Sequence, residues 1–247
     1  MRRRSEVVSR ESLLRGAVAA AALETGADLS PTADQDLLTT EAPGPAADPR
    51  DAPQATAVRG AGRAYGELGS LRDTWTRSPS QVLARLHLLA ARGIVDEDRL
   101  ARPRVAGDLV REGPYDEMLG PAPGPLDVHA RLDALITVLA VTRAPALVVA
   151  AVVHGEIATL RPFVWGNQVV ALAAQRLVLA ERGLDPRSHA VVEVGHLHDG
   201  GATGYGAALA AYGSGRPDGV AVWVRHCGAA VEAGAADGIA ICEALGR

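Results

Sequence analysis

The segment Leu160-Arg161-Pro162-Phe163-Val164-Trp165-Gly166-Asn167-Gln168 joins the two most apolar stretches of the chain, 145–160 and 167–183. Both stretches are predicted to be strongly apolar helices, and the preceding stretch 126–142 has apolar residues at the spacing of a helix face. Gly166 and Asn167 tolerate left-handed backbone angles, so the segment predicts a tight turn that leads directly into the second helix. The only phenylalanine and the only asparagine of the whole sequence, Phe163 and Asn167, both lie in this segment.

The predicted turn is suited to an anion. Backbone N–H groups at the start of the second helix would point into it and favour a negative group, typically a phosphate. Arg161 and Arg176 would add positive charge, although the sequence does not place them on the same side. A plain helix–helix connection, with Asn167 as a cap and Phe163 in the core, is the alternative that the pattern leaves open.

Helical patterns continue outward from this turn. Ser78-Pro79-Ser80-Gln81 offers an N-cap, a proline at the first helical position and a glutamine three residues after the cap. Long alternating runs of the kind that form strands are missing, apart from the ambiguous 190–194. The sequence therefore predicts an all-α protein, with helices at 5–25, 78–93, 126–142, 145–160, 167–183, 203–213, 218–232 and 235–245.

The composition predicts three regions: an N-terminal helix in 1–29, a flexible linker in 30–62 and a helical domain in 63–247. The linker is rich in proline, alanine and aspartate, and it has too few large apolar residues to offset the entropy of ordering. A structureless segment of that length is uncommon inside a compact domain, which supports reading it as a linker.

Charge and hydropathy exclude several classes of partner. The chain has 247 residues, with 25 basic and 29 acidic side chains and a formal net charge of −4, so neither nucleic acid nor an anionic membrane is favoured. The most apolar run, Ala146–Val153, is far shorter than the 18 or so residues that span a bilayer. Two isolated cysteines, Cys227 and Cys242, favour a reducing cytoplasm. All basic residues are arginine, a bias typical of GC-rich genomes, and a bacterial source is expected.

Residues 154–176 resemble the Fic (Fido) domain signature, His-Pro-Phe-x-Asp/Glu-Gly-Asn-Gly/Lys-Arg-x-x-Arg, which lies between two central helices. The matching residues are Pro162, Phe163, Gly166 and Asn167. The resemblance covers about residues 65–245, including Tyr205-Gly206-Ala207-Ala208-Leu209 in the following helix. It implies a Fic-like helical bundle, and it places a small β-hairpin flap in 100–127.

The chain departs from this signature at its chemical positions. The resemblance implies transfer of AMP from ATP to a hydroxyl group of a target protein, with the signature histidine as base. Arg161 occupies that position, and Trp165 replaces the acidic residue that holds Mg²⁺. The next small residue and the two signature arginines are also lost; Gln168, Val169 and Leu172 stand there.

These losses predict that AMP is not transferred. A positioned general base contributes about 10²–10⁴ in rate, and arginine stays protonated near neutral pH. A metal that neutralises the phosphates supplies a separate contribution. His154 lies seven residues before Arg161, roughly 10 Å along one helix face, and is out of reach of the same hydroxyl. No residue is therefore assigned as catalytic.

What the turn retains predicts a module that binds a protein partner, with ATP or another nucleotide as the ligand that the resemblance implies. The expected ligand-binding residues are Arg161, Trp165, Gly166, Asn167 and Gln168, while Pro162 and Phe163 shape the turn and no metal ligand is assigned. Two enzymatic alternatives remain open. One is a nucleotidyl or phosphoryl transferase with altered chemistry, and the other is a metal-dependent hydrolase that uses His196 and His198.

Two further segments carry weaker signals. Many Fic proteins have an inhibitory helix whose glutamate pairs with the second signature arginine; Ala20-Ala21-Ala22-Leu23-Glu24-Thr25 keeps only the glutamate, and Leu172 offers it no cation. The favoured interpretation is an alanine-rich helix that packs loosely or frays. The glycine-rich segment 200–206 suggests a dinucleotide loop but follows no clear strand.

Overall fold

The computed structural model describes residues 2–38 and 52–245, and within those ranges the chain is helical with no strand. Only an isolated bridge joins Arg92 and Val95 there. The all-α prediction is confirmed. The α-helices are α1 Arg2–Thr25, α2 Ala52–Gly66, α3 Leu68–Trp75, α4 Pro79–Ala91, α5 Asp116–Leu119, α6 Pro125–Val141, α7 Ala146–Leu160, α8 Asn167–Glu181, α9 Val192–His198, α10 Gly201–Gly213 and α11 Pro217–Ala244.

The two apolar helices α7 and α8 pack against each other at the centre of the bundle. Every residue of α8 from Asn167 to Ala180 is buried, since α1, α2, α3 and α4 cover the sides that α7 leaves open. A helix that is apolar on all sides is stable only when it is enclosed in this way. The turn between the two helices therefore lies in the interior, beneath the chain that covers it.

Small residues allow the helices to approach closely. A Cβ added at Gly60 in α2 would lie 2.1 Å from the carbonyl oxygen of Ala90 in α4, and one at Gly195 in α9 would lie 1.9 Å from that of Ala230 in α11. Gly234 lies against Val191 in the same way and accepts its N–H at 2.9 Å. Helix α11 runs without a break through 218–232 and 235–245, for which the sequence left open one helix or two.

The other predicted helices are confirmed with small shifts at their ends, and the ambiguous 190–194 leads into α9. Pro79 opens α4 as predicted, but the Ser78 side chain forms no cap hydrogen bond. Among the helices of the described residues, none combines the length and the apolar character needed to cross a membrane.

The N-terminal helix is part of the core, and the prediction that it packs loosely was wrong. All seven residues of 17–23 are buried, and α1 contacts α2, α8, α9 and α11. A row of alanines with Val18 and Leu23 is weakly hydrophobic in sequence, but it lets neighbouring helices come close. Close packing then stabilises α1 where hydrophobicity alone would not.

The predicted linker 30–62 was wrong at both ends. Residues Asp34–Leu38 form a 3₁₀ helix whose Leu37 and Leu38 pack against the core. Residues 52–62 belong to α2, where Ala57, Val58 and Ala61 are fully buried. The remainder of the predicted linker, 39–51, lies outside the described residues.

The segment 100–124 covers the α7–α8 turn as a flap without forming the β-hairpin that the resemblance implies. It contains the short helix α5 and otherwise irregular chain. Its backbone pairs with the turn, since Arg104 N–H donates to Pro162 O at 2.8 Å and Arg111 N–H donates to Val164 O at 2.9 Å. These two bonds hold the flap against the turn in place of a hairpin partner.

Candidate functional site

The turn between α7 and α8 is built by the residues that the sequence singled out. Arg161 adopts a left-handed conformation with φ of 48°, and Gly166 does so with φ of 83°. The side-chain amide of Asn167 accepts the Phe163 N–H at 2.9 Å and donates to the Phe163 carbonyl at 2.8 Å. Phe163 is buried and stacks on His87, with ring centroids 4.1 Å apart. The turn is therefore closed by its own side chains.

The backbone N–H groups at the start of α8 are already bound to a carboxylate of the same chain. Glu24, at the end of α1, accepts the N–H of Gly166 at 2.8 Å and the N–H of Gln168 at 2.7 Å, and it also accepts the N–H of Val169. We call the backbone N–H groups of Gly166, Gln168 and Val169 the cradle; it lies where the sequence predicted an anion, and the Glu24 carboxylate occupies it. Leu172 offers Glu24 no cation, as predicted, and backbone amides take the place of the missing arginine.

The charge of Glu24 is finely balanced. Burial raises the pKa of its carboxyl to about 7, and the bonds from the backbone amides oppose that rise. The nearby Asp116 carboxylate adds to the increase in pKa. The first turn of a helix stabilises an anion, so the N–H groups of the cradle partly offset the destabilising effect of burial on the ionised carboxylate.

Arg161 is directed at the flap. Its guanidinium donates to Asp116 Oδ1 at 2.9 Å and to the Gly120 carbonyl at 2.7 Å, and the side chain is buried. Arg104, also buried, donates from the flap to the Arg161 carbonyl at 2.7 Å and to Pro123 O at 2.9 Å. At the position of the signature histidine the chain therefore carries a cation that fastens the cover of the site.

Little space remains beside the cradle. A cavity of about 30 Å³ is lined by Glu24, Tyr115, Asp116, Arg161 and Gln168, among others. This volume is close to that of one water molecule and is far below the several hundred Å³ typical of small-molecule pockets. The hydroxyl of Tyr115 and the Nε of Arg161 are buried there without a protein partner.

Two of the predicted ligand-binding side chains are turned away from the cradle. Trp165 packs against a small apolar cluster of Ala91, Val95 and Val164. The Gln168 side chain is bonded to the Tyr205 hydroxyl at 2.5 Å, so only its backbone N–H serves the cradle. The structure thus brings Arg161 and the backbone of 166–169 together beside Glu24, while the side chains of Trp165 and Gln168 are engaged elsewhere.

A chain of buried polar groups starts at Gln168 and ends near the surface. The Tyr205 hydroxyl lies 2.8 Å from His154 Nε2, and the side-chain amide of Gln175 lies 2.9 Å from both His154 Nδ1 and His196 Nε2. His196 Nδ1 in turn lies 3.1 Å from His226 Nε2. The chain runs from the first turn of α8 through the core to α11.

His154 and His196, the two buried histidines in this series of polar groups, are neutral. Burial lowers the pKa of His154 to about 3 and lowers that of His196 well below its ordinary value. Gln175 Oε1 faces both His154 Nδ1 and His196 Nε2, so each ring donates to it from that nitrogen. Tyr205 donates to Gln168 Oε1, and His196 Nδ1 is left to accept from His226 Nε2. His154 is thus held in the core of the bundle.

Arg176 does not add charge to the turn. It is fully buried and forms a two-bond ion pair with Glu193 of α9, at 2.6 and 2.7 Å. The same guanidinium donates to Ser12 in α1, and Glu193 also accepts the Tyr65 hydroxyl of α2 at 2.7 Å. This cluster ties α1 to the centre of the bundle.

The proposed histidine pair for a metal is divided by the fold. His196 is buried and points into the polar chain, whereas His198 is exposed. In the part of the chain that the structure describes, no three histidine, cysteine or acidic residues are placed to hold a metal ion together.

Glu24 and Asp116 are the site residues that sequence reasoning missed. Glu24 is far from the turn in sequence, and the only local signal was the comparison with an inhibitory helix that lacks its usual pattern. Asp116 lies in the flap, whose path is irregular and has no periodicity to interpret. Both positions depend on tertiary packing of segments distant along the chain.

Comparison with known proteins identifies the fold. The chain is similar to the solved structure of a Fic family protein from Desulfovibrio desulfuricans G20, with a TM-score of 0.65 and 21% sequence identity. The match covers 92% of this chain and 64% of that chain, so this chain spans about two thirds of that protein's length. No protein-family model and no curated protein matches the sequence. The chain thus has the Fic fold.

Proposed function

We propose that this protein is a Fic-fold module that binds a protein partner and does not transfer AMP. The observation that carries the proposal is the carboxylate of Glu24 on the backbone N–H groups of Gly166 and Gln168, where a nucleotide phosphate would have to bind. Phosphate and carboxylate compete for the same donors, and the donors are satisfied within the chain.

The side chains around the cradle support the same conclusion. Arg161 cannot accept a proton, and it is engaged with Asp116 and the Gly120 carbonyl. Trp165 offers no oxygen ligand for a metal, and Val169 offers no charge for a phosphate. Loss of a base, a metal carboxylate and a phosphate-binding cation removes three contributions, each worth on the order of 10² or more in rate.

The attachment of α1 makes the occupied cradle a stable feature of the fold. Ser12 is bonded to Arg176 and donates to the Ala190 carbonyl at 2.9 Å, about three turns before Glu24 on the same helix. Withdrawing Glu24 by moving α1 would break these buried bonds. An anion site that is filled from within the chain is not free for a nucleotide, which favours a role in binding a partner.

Incubation with ATP labelled at the α-phosphate tests the proposal. The parent protein, with Mg²⁺ or Mn²⁺ and a bacterial lysate, is expected to label no protein above the background of a heat-denatured sample. Labelling that depends on native protein would overturn the proposal and support the alternative of a transferase with altered chemistry.

Thermal shift with nucleotides distinguishes the two readings further. A nucleotide at 100 times its dissociation constant adds about 2.7 kcal/mol to stability, which corresponds to roughly 5–11 °C for a chain of this size. We expect no shift with ATP, GTP or their diphosphates in the parent. A nucleotide-dependent shift of the parent protein would contradict the proposal and indicate a nucleotide site.

A further inference from the structure

The outward side of α6 is apolar although it faces solvent. The helix buries Val128, Leu132 and Leu135 on its inner side. Its opposite side carries five exposed apolar residues spaced by four, four, four and three positions, which we call the α6 stripe: Leu126, Ala130, Ala134, Val138 and Val141. That spacing keeps all five on one helix face. From Ala134 to Val141 the helix has no charged residue.

Three large apolar side chains are exposed on this face of α6, and three more lie in the preceding flap. Leu126, Val141 and Val138 are 87%, 74% and 50% exposed. Of the eleven large hydrophobic residues exposed in the described chain, six lie between 105 and 141: Val105, Leu109, Met118, Leu126, Val138 and Val141. Scattered exposed residues are ordinary, whereas a contiguous apolar patch marks an interaction surface.

The ends of α6 carry opposite charges that suit a second copy of this chain. Asp127 near the start and Arg143 just after the end are both exposed, and neither is ion-paired with another residue of the described ranges. In an antiparallel pair of α6 helices centred near Leu135, each Arg143 lies beside the second copy's Asp127. A parallel pair would bring the two Asp127 side chains together, which is unfavourable. Ala130 and Ala134, near the middle, allow close approach.

We propose that the α6 stripe is a self-association surface, through which two copies of this chain pair by antiparallel α6 helices. The helix has 17 residues and is about 26 Å long. A pair of that length buries less than the roughly 1,200 Å² of a standard stable interface. The complex is therefore weak and reversible, with a dissociation constant of roughly 10 µM to 1 mM. The inference is independent of the state of the cradle.

Sedimentation equilibrium of the full chain, from about 5 µM to about 1 mM, tests this surface. The parent is expected to pass from monomer to dimer across the range, and Val138→Glu to raise the dissociation constant at least tenfold, to the limit of detection. Leu184→Glu is the matched control, because Leu184 is also 50% exposed but lies in the turn after α8. It is expected to dimerise like the parent.

A charge exchange tests the antiparallel geometry. Asp127→Arg should weaken the dimer several-fold by placing two arginines together, and Asp127→Arg with Arg143→Asp should restore it. Asp133→Arg, an equal charge change on an exposed residue outside the stripe, is the control. All variants are compared at matched circular dichroism and melting temperature.

Three results would overturn the proposal. The first is a parent that stays monomeric at 1 mM, which would leave the face to a partner of different sequence. The second is an equal effect of Val138→Glu and Leu184→Glu. The third is a double charge variant that is no stronger a dimer than Asp127→Arg alone.

Discussion

Replacement of Glu24 by alanine separates the cradle from its occupant. Glu24 accepts backbone N–H groups at 2.8 and 2.7 Å, and removing it leaves those donors without a protein acceptor at the start of a buried helix. Loss of an N-cap carboxylate costs about 0.5–2 kcal/mol, and a buried unsatisfied donor costs about 1–3 kcal/mol. Because water can enter the space left behind, we expect a net loss of about 1.5–3 kcal/mol. For a chain of this size that is a fall in Tm of roughly 3–12 °C.

Inorganic phosphate should then bind in place of the carboxylate. With a dissociation constant of about 1 mM, 10 mM phosphate adds RT ln 11, about 1.4 kcal/mol, or roughly 3–6 °C. The parent should shift by less than about 1 °C, since its donors are occupied. The assay is a thermal melt at pH 8, where Glu24 is ionised in the parent because its pKa is about 7. Sodium chloride of equal ionic strength is the reference for screening.

Glu117→Ala provides the matched control, because Glu117 is an exposed carboxylate of the flap. It should change neither Tm nor the response to phosphate. An equal phosphate shift in the parent and in Glu24→Ala would refute the reasoning, since it would place anion binding elsewhere. A Glu24→Ala variant as stable as the parent would show that the carboxylate contributes no net capping energy.

Three other perturbations follow from the same packing. Burial lowers the pKa of His87 to about 4 and that of His154 to about 3, so both rings stay neutral in the folded protein while the unfolded chain takes up protons below about pH 6.5. The free energy of unfolding should therefore decrease as the pH is lowered, by about 1.4 kcal/mol per histidine per pH unit. Equal urea midpoints at pH 7 and pH 5 would contradict this. Glu193→Gln should lower the free energy of unfolding in urea by about 3–5 kcal/mol, because it leaves the buried Arg176 cation unpaired. The control Glu67→Gln breaks the exposed pair with Arg85 and should lower it by less than about 1 kcal/mol. Similar losses for both variants would show that burial is not the cause. Arg161→His should accelerate hydrogen exchange in the flap, because it removes the bonds to Asp116 and Gly120. It should still transfer no AMP from labelled ATP, because Trp165 and Val169 remain and Glu24 still occupies the cradle. Labelling by this single variant would show that the other losses are not decisive.

The sequence by itself determined the helical class and the position of the turn. The strongly apolar composition of 145–160 and 167–183 is a local signal, and it indicated two helices that pack at the centre of the bundle. Gly166 and Asn167 marked the turn through backbone preferences that act within a few residues. The unsuitability of Arg161 as a base also follows from its identity alone, because no environment in a protein removes its charge at neutral pH.

Only the tertiary structure decided what occupies the turn and what covers it. The weak hydrophobicity of 17–23 concealed the burial of α1, since an alanine helix is stabilised by close approach, which depends on residues distant in sequence such as Ala57 and Ala61 of α2. Glu24 reaches the amides of Gly166 and Gln168 because that packing fixes the end of α1 beside the start of α8. The flap has no periodic pattern, and its place is fixed by single bonds from Arg104 and Arg161. The local sequence determines which backbone conformations are low in free energy. Which groups come into contact is determined by long-range packing, because those contacts form only when the whole bundle forms.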